Sequence, residues 1–270
     1  MSGRKSRGMG WWVAMVVVLG GTVLAACASP KTTSDGTVPL PQAHSFSGLR
    51  NVGPLFPPGS SIHTCTASVI ASRTGDLVIT AAHCLSGSGA GWRFAPGYDN
   101  GVEPYGSWNV VGLYGAPAWL HSTLASSDYA IVKVAPRVVK GKAQTLQDVV
   151  GANRLATAPV YGATVTVPAY AIGSNDRPLT CTVRVSYQGI YPAFTCNPYV
   201  GGTSGAPWLE HSRGTNTVVG VIGGFHQGGC TPMRSYSAPF NATTLAIAAS
   251  AAKGTTPSQF PVAPSDGCSS

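Results

Sequence analysis

Short runs rich in Val, Ile, Thr and Tyr recur along the chain, and Gly, Pro, Asn and Asp separate them. The first group of residues favours strands, and the separating residues favour tight turns. The pattern predicts strands at residues 64–70, 77–81, 107–114, 129–134, 164–172, 180–187 and 217–222. Many short strands at such a spacing are typical of antiparallel barrels and sandwiches, so we predict an all-β fold.

A helix is predicted at residues 241–253, which are rich in Ala, Leu and Ile and begin with Asn241, a favourable N-cap residue. Residues 115–127 are interpreted as a loop, and the largely polar residues 140–151 as a crossover between two lobes. Residues 255–270 follow the helix as an irregular tail, where Cys268 can fix them.

The N-terminal segment, residues 1–27, predicts export. A basic start precedes an apolar run at residues 11–23, which is too short and too early for a transmembrane helix. Residues 24–27 (LAAC) resemble a bacterial lipobox, which makes Cys27 the lipidated first residue of the mature chain. The alternative is ordinary secretion with cleavage after Ala28. Residues 28–47, rich in Ser, Thr and Pro, are predicted to be a flexible linker or pro-segment before a domain at 48–254.

Composition narrows the class of protein. Hydrophobic residues make up 44% of the 270 residues and charged residues only 10%, which is typical of a globular chain rather than a disordered one. The net charge is +8, but part of this excess lies in the export signal and the other basic residues are scattered. We therefore predict no nucleic-acid partner.

Seven cysteines are present, and lipidation of Cys27 leaves an even number for disulfide bonds, which persist outside the cytoplasm. Their positions beside the predicted strands, and elimination for the last pair, predict the bonds Cys65–Cys84, Cys181–Cys196 and Cys230–Cys268. Zinc binding is the alternative. Because the sequence has neither a Cys-x-x-Cys motif nor a His pair with ligand spacing, we predict no metal and no cofactor.

Ser204 lies in a run of small residues at 201–207 (GGTSGAP). Glycines there allow a sharp turn that exposes the serine oxygen and aims backbone N–H groups into one concavity, as acyl transfer requires. Most turns of this composition are ordinary loops, so the hypothesis of a nucleophile depends on a base and an acid elsewhere in the chain.

His83 is the candidate base, because it ends a predicted strand and the predicted bond of Cys84 fixes its backbone. A structural histidine at a strand end is the alternative. Other histidines lie in a loop, in a polar turn or near the domain start: His121, His211, His44 and His63. Asp128 is the candidate acid because it opens a mostly apolar strand, although a strand-start cap has the same pattern. Other aspartates lie among turn or polar residues: Asp99, Asp148 and Asp176.

Three blocks resemble those of the chymotrypsin-like (trypsin-like) serine proteases: residues 80–84 (TAAHC), 128–131 (DYAI) and 202–207 (GTSGAP). Their order, His then Asp then Ser, is that of this family. Thr203, and the PGYDNG turn within residues 94–107, are similar to the bacterial glutamyl-endopeptidase-like branch. Over residues 47–250 the resemblance implies two antiparallel six-stranded β-barrels, a cleft between them and a C-terminal helix. The implied bounds are about 48–142 for barrel one, about 150–240 for barrel two and about 241–253 for the helix.

The resemblance also implies roles for the site residues. Ser204 is the nucleophile, His83 the base and Asp128 the acid that orients it. The N–H groups of Gly202 and Ser204 form the oxyanion hole. Many relatives carry an acid before the serine, which pairs with a new N-terminal amine on activation, and Thr203 cannot form this pair.

The predicted specificity pocket involves Pro198, Gly223, Gly224 and His226. Pro198, six residues before the serine, stands where an acid would select Arg or Lys. Glycines within residues 221–229 leave the entrance open and allow a substrate to pair as an added strand. His226 resembles the histidine with which glutamyl endopeptidases receive an acidic side chain, so we predict a preference for Glu or a small uncharged residue. The alternative is that His226 points to solvent.

The sequence therefore predicts a secreted or membrane-anchored serine endopeptidase, acting on peptide or protein substrates as a monomer. Membrane contact is predicted only through a lipid at Cys27, with the protein outside the cell or on the outer face of the bacterial membrane. Two alternatives remain: a catalytically silent binding protein on a protease fold, and an esterase with the same triad.

Overall fold

The computed structural model describes residues 39–139 and 141–268. The predicted export signal at residues 1–27, its lipidation site Cys27 and most of the predicted linker lie outside the described residues. Within the two described ranges no helix is long and apolar enough to cross a membrane.

Strands dominate the described chain, and the predicted all-β class is confirmed. Their bounds are β1 (His44–Ser45), β2 (Val52–Phe56), β3 (Cys65–Val69), β4 (Leu77–Thr80), β5 (Arg93–Phe94), β6 (Trp108–Gly115), β7 (Ala130–Val134), β8 (Arg137–Val139), β9 (Lys142–Gln144), β10 (Arg154–Leu155), β11 (Thr164–Thr166), β12 (Leu179–Thr180), β13 (Thr182–Arg184), β14 (Ser186–Gln188), β15 (Tyr191–Thr195), β16 (Pro207–Ser212), β17 (Thr215–Val221) and β18 (Arg234–Tyr236). The α-helices are α1 (Pro117–Ser122), α2 (Leu146–Val150) and α3 (Ala242–Lys253). Short 3-10 turns occur at Ala82–Cys84, Ala125–Ser127 and Phe225–Gly228.

Barrel one is a closed six-stranded barrel with the strand order β2-β3-β4-β7-β6-β5, as the resemblance implied. Neighbouring strands are antiparallel, including the pair β2 and β5 that closes the ring. Aromatic and β-branched side chains such as Phe94, Trp108 and Val132 are fully buried inside it. Because side chains fill the interior, this barrel is a rigid scaffold whose ends and loops carry the polar residues.

The second lobe consists of two sheets around one core. Their strand orders are β10-β17-β16-β11-β13 and β14-β15-β18. The rings of Phe194 and Trp208, one from each sheet, pack edge to face with centroids 5.0 Å apart. The strand predicted at 180–187 is interrupted at Cys181 and Val185, so it forms the separate strands β12, β13 and β14. The lobe is therefore a barrel-like pair of sheets rather than one continuous six-stranded ladder.

A further apolar core joins the two lobes. Leu77 and Tyr129 of barrel one pack with Leu209 and Val218 of the second lobe and with Phe240 just before α3. All of these side chains are almost fully buried, and burying each is worth about 1.5–3 kcal/mol. This shared core fixes the two lobes against each other, so residues from both can form one cleft.

The predicted C-terminal helix is confirmed as α3. The Asn241 side chain caps it by accepting a hydrogen bond from the Thr243 N–H at 2.8 Å, and Gly254 ends it with a φ of 73°. The segment predicted to be loop contains α1, which begins at Pro117. The predicted polar crossover contains the hairpin β8–β9 and α2, whose N-cap Thr145 forms a capping box. These two helices are shorter than the periodic patterns that sequence reasoning detects.

The ends of the described chain are held by contacts and disulfide bonds. β1 pairs with β12, and the Ala43 N–H donates to the Asn197 carbonyl at 2.7 Å, so part of the predicted linker packs on the second lobe. In the C-terminal tail, Phe260 is buried in the core of barrel one. The disulfide bonds are those predicted: Cys65–Cys84, Cys181–Cys196 and Cys230–Cys268.

Candidate active site

Ser204 lies in a tight turn that glycine makes possible. Gly202 and Gly205 have φ angles of 91° and 80°, which side-chain-bearing residues rarely adopt. A Cβ on Gly205 would lie only 2.1 Å from the Thr80 Oγ1 and 2.2 Å from the Thr66 carbonyl oxygen. The turn therefore packs directly against barrel one, and its glycines are required by both backbone angle and space.

The peptide groups around Ser204 are oriented by two hydrogen bonds. The Gly201 carbonyl accepts from the Ile172 N–H at 2.8 Å, and the Thr203 carbonyl accepts from the Ala206 N–H at 3.0 Å. In a trans peptide the N–H points opposite to the carbonyl, so the N–H groups of Gly202 and Ser204 point away from these partners. Within the described chain neither N–H donates to a protein acceptor. Two oriented donors of this kind are what an oxyanion hole requires.

Barrel one holds the turn through the buried residue Thr66. Its hydroxyl donates to the Gly202 carbonyl at 3.1 Å and accepts from the Tyr170 N–H at 2.9 Å. Its backbone N–H donates to the Ser204 carbonyl at 2.7 Å. Thr66 thus ties together β3, the turn that carries Ser204, and the segment after β11.

Thr203 precedes the candidate nucleophile Ser204. Its hydroxyl and its N–H both form hydrogen bonds inside their own turn. Its hydroxyl donates to the Val200 carbonyl at 2.7 Å, and its N–H donates to the same carbonyl at 3.1 Å. The side chain is buried. A neutral side chain therefore occupies the place where many relatives carry an acid, and it closes the turn by local hydrogen bonds.

His83 and Asp128 are joined by direct hydrogen bonds. The His83 Nδ1–H donates to Asp128 Oδ2 at 2.7 Å, and the His83 backbone N–H donates to Oδ1 at 2.8 Å. The Gly224 N–H donates to Oδ2 at 2.8 Å. Asp128 is fully buried, and three N–H donors suit the charged carboxylate. The Cys65–Cys84 bond anchors the turn of His83 to β3, as the sequence predicted.

A cavity of about 420 Å³ connects the two lobes at this site. His83 and Ser204 both line it, although no direct hydrogen bond joins them within the described residues. Such bonds are often long in structures without substrate. The cavity brings together the candidate base His83 from barrel one and the candidate nucleophile Ser204 from the second lobe.

The wall of the cavity formed by residues 226–230, here named the far wall, differs from the predicted specificity pocket. Of the predicted pocket residues only His226 lines the cavity, whereas Pro198, Gly223 and Gly224 lie outside its wall. Gly223 instead faces Asp128, since a Cβ there would lie 3.0 Å from the Asp128 carbonyl oxygen. Gly224 turns the chain with a φ of 76°, and the 3-10 turn Phe225–Gly228 follows. The wall is therefore coiled and does not offer the extended edge predicted for pairing with a substrate.

Residues 65–221 match the trypsin-like peptidase domain. The chain belongs to the trypsin-like peptidase family. This match spans the three blocks that carry His83, Asp128 and Ser204, and it confirms the predicted family.

Solved structures share the fold of this trypsin-like peptidase. The protease Anisep from Arthrobacter nicotinovorans superposes with a TM-score of 0.65 at 24% identity, covering 78% of this chain and 99% of that one. A thermostable serine protease, AL20, from an extremophilic microorganism gives 0.65 at 22% identity, with 76% and 98% covered. A Glu endopeptidase in complex with MPD gives 0.63 at 15% identity, with 79% and 97% covered.

A curated relative, an extracellular metalloprotease of Bacillus subtilis (strain 168), is 30% identical over 83 residues. The match covers 29% of this chain and 26% of that protein, so it spans about a quarter of the relative's length.

Two clusters bring potential ligand atoms within 4.8 Å of one another: Cys65 with His83 and Cys84, and His226 with Cys230 and Cys268. The cysteines of both clusters form disulfide bonds, whose sulfur atoms are not the thiolates that bind zinc. The Nδ1 of His83 is also already bound to Asp128. Neither cluster fits a metal ion.

The remaining candidate residues do not line this cavity. His63 is buried and its Nε2 bonds to Asp176 at 2.7 Å, while His211 bonds to Asn216. His121 is exposed in α1, and His44 lies in β1. Asp148 caps α2 and Asp99 lies near Arg177.

Sequence reasoning missed three parts of the site. These are Thr66, the Ile172 N–H and the tail residue Asp266, which lines the cavity. Thr66 does stand beside Cys65, a predicted bridge residue, but the role of its hydroxyl depends on contacts with distant segments. Tyr199 also lines the cavity; burial raises its pKa, and its hydroxyl donates to the Val167 carbonyl, so it stays neutral.

Proposed function

We propose that this trypsin-like peptidase is a serine endopeptidase that cleaves peptide bonds through an acyl-enzyme. The observation that carries the proposal is the fully buried Asp128 carboxylate, which accepts a hydrogen bond from His83, while His83 lines the same cavity as Ser204. A buried carboxylate that fixes the histidine Nδ1–H leaves the Nε2 as the basic atom. The fold of the serine proteases named above supports the same assignment.

The reaction follows from these positions. The Ser204 hydroxyl attacks the peptide carbonyl as His83 removes its proton, and Asp128 stabilises the imidazolium that results. The N–H groups of Gly202 and Ser204 donate to the oxyanion. The imidazolium then protonates the leaving amine, and water, activated by His83, hydrolyses the acyl-enzyme to restore Ser204.

The variant Ser204→Ala tests this mechanism. Peptide turnover should fall by about 10⁶-fold, as when other triad nucleophiles are removed, while the circular dichroism spectrum stays unchanged. Covalent labelling by a fluorophosphonate should be lost as well. Ser212→Ala is the matched control, because Ser212 is exposed on β16 away from the cavity. Wild-type turnover in Ser204→Ala would refute the mechanism.

The same assays separate the two alternative functions. A silent binding protein would not react with the fluorophosphonate in its wild-type form. An esterase would be labelled and would turn over esters, but not peptide amides. Occupied positions for the nucleophile, the base and the acid argue against the silent binding protein.

We further propose a preference for Glu or a small uncharged residue over Arg and Lys on the acyl side of the cleaved bond. His226 lines the cavity, and its Nδ1–H donates to the Asp266 carbonyl at 2.9 Å. Its Nε2 can therefore donate to a substrate carboxylate only when the imidazole is protonated. His226→Ala should therefore reduce the selectivity for Glu over Ala, and unchanged selectivity in this variant would refute the role of His226 alone. Dominant cleavage after Arg or Lys in a peptide library would refute the preference.

We propose that the protein acts outside the cytoplasm as a monomer, tethered by a lipid at Cys27. Support comes from the LAAC sequence at residues 24–27 and from the disulfide bonds of the described domain. Intact-mass measurement of native protein tests the anchor. Acyl chains on Cys27 are expected, and an unmodified chain beginning at Ser29 would instead indicate simple secretion.

A further inference from the structure

We propose that residues 258–268, here named the C-terminal strap, position the far wall of the substrate cavity and thereby set substrate affinity. The inference rests on the endopeptidase function proposed above. It adds a positioning element from the C-terminal tail, which accepts hydrogen bonds from the side chains of His226 and Gln227.

One end of the strap is fixed to barrel one. The Ser258 N–H donates to the Leu113 carbonyl at 2.7 Å, and the backbones of Phe260 and Gly87 exchange hydrogen bonds of 2.8 and 2.9 Å. The Phe260 side chain is only 4% exposed within the barrel core. This end therefore cannot move without disturbing the rigid barrel.

The other end reaches the cavity. Cys268 is bonded to Cys230, and both Cys230 and Asp266 line the cavity. The Asp266 carboxylate accepts a hydrogen bond from the Cys268 N–H at 2.9 Å, which rigidifies this end of the strap. The strap thus runs from the barrel that holds the base to the wall that faces the substrate.

The part of the far wall that the strap contacts has backbone angles that are unfavourable for its residues. His226 and Gln227 have φ angles of 51° and 50°, in the left-handed region that residues with a Cβ disfavour. The strap supplies compensating contacts. The Gln227 Nε2 donates to the Pro264 carbonyl at 2.6 Å, and the His226 Nδ1–H donates to the Asp266 carbonyl. Within the described structure these are the only side-chain hydrogen bonds of His226 and Gln227.

The triad does not depend on these contacts. His83, Asp128 and the turn of Ser204 are held by Thr66, Gly224 and the Cys65–Cys84 bond. Release of the strap should therefore weaken the binding of substrates whose side chains reach the wall, and leave the reactivity of the serine unchanged. A merely structural strap would lower thermal stability alone.

The test uses two variants of the full chain that detach the strap in different ways. The double variant Cys230→Ala with Cys268→Ala removes the covalent tether without leaving a free thiol. Gln227→Glu replaces the amide donor with a carboxylate, which repels the Pro264 carbonyl. Gln188→Glu is the matched control, because Gln188 only accepts a hydrogen bond from Tyr236 and its replacement can still accept it.

For peptides with a long side chain before the cleaved bond, both strap variants should raise KM about three- to tenfold, with kcat changed less than about twofold. Peptides with alanine there should be affected little, and the fluorophosphonate labelling rate should stay at the wild-type value. Gln188→Glu should match the wild type. If the double variant does not fold, Gln227→Glu decides the question alone. Unchanged KM in the folded variants, or an equal loss for all peptides, would overturn the inference. Failure of the wild type to label or to cleave peptides would instead refute the proposed function.

Discussion

The substitution Thr66→Val tests how barrel one supports the oxyanion hole. Valine has nearly the shape of threonine but lacks the hydroxyl, so the change removes hydrogen bonds without opening a cavity. The Gly202 carbonyl loses its donor at 3.1 Å and the Tyr170 N–H loses its acceptor at 2.9 Å. Both groups are in the buried interface between the lobes, and water cannot replace the missing hydroxyl.

The magnitude follows from these two groups. Each unsatisfied buried polar group costs about 1–3 kcal/mol, and the added methyl recovers about 0.8 kcal/mol. The free energy of unfolding should therefore fall by about 1–5 kcal/mol. If the Gly202 carbonyl rotates to find a new partner, the same peptide group carries the Thr203 N–H away from the Val200 carbonyl. This loosens the turn between the N–H groups of Gly202 and Ser204, and kcat should fall about ten- to hundredfold.

Urea unfolding measures the stability, and peptide hydrolysis measures kcat. Thr66→Ser is the control, because it keeps the hydroxyl and should stay close to the wild type in kcat. Wild-type kcat in a folded Thr66→Val protein would refute the view that this hydroxyl positions the hole. An equal loss of kcat in Thr66→Ser, which keeps the hydroxyl, would likewise contradict the assignment of the effect to the hydroxyl.

Three further outcomes are expected. Asp128→Asn should keep the fold but lower kcat about 10⁴-fold, because an amide favours the wrong tautomer of His83; a loss below tenfold would contradict the role of the acid. Burial and the nearby Asp176 carboxylate raise the pKa of Tyr170, so its contribution to stability is present below about pH 10 and is lost as the pH rises above that value. In Tyr170→Phe the unfolding free energy should therefore fall less steeply between pH 9 and 11 than in the wild type. The difference in slope should correspond to the release of about one proton on unfolding. EDTA should leave peptide hydrolysis unchanged, and loss of activity that only added metal restores would contradict the disulfide assignment of the cysteine clusters.

The parts of the site that sequence reasoning reached are those encoded by neighbouring residues. A strand that ends in small residues before His83, and an apolar strand that follows Asp128, are local patterns. The glycines on both sides of Ser204 likewise predict its turn. Each pattern alone is ambiguous, but their order along the chain removes most of the ambiguity.

Sequence reasoning did not predict the conformation of the cavity wall, because its shape depends on residues far apart in sequence. The glycines at residues 223–224 suggested an open extended edge, yet Gly224 is committed to the Asp128 carboxylate and turns the chain. The conformation of His226 then depends on a carbonyl of Asp266, 40 positions later. Composition carries no signal for such a contact. The break of the predicted strand at 180–187 has a similar origin, since its pairing partners decide where it ends.

The contacts around Thr203 explain how the proposed oxyanion hole can form without the acid found in many relatives. Where an acid pairs with a new N-terminal amine, the turn acquires its geometry only after cleavage of the chain. Here the Thr203 hydroxyl closes the turn on Val200, the Ile172 N–H orients the Gly201 carbonyl, and Thr66 holds Gly202 and Ser204 from barrel one. All of these are neutral hydrogen bonds between groups that the folded domain already brings together, and most are buried. The geometry of the hole is therefore set by packing between the lobes, and its formation requires no charge at a new chain end.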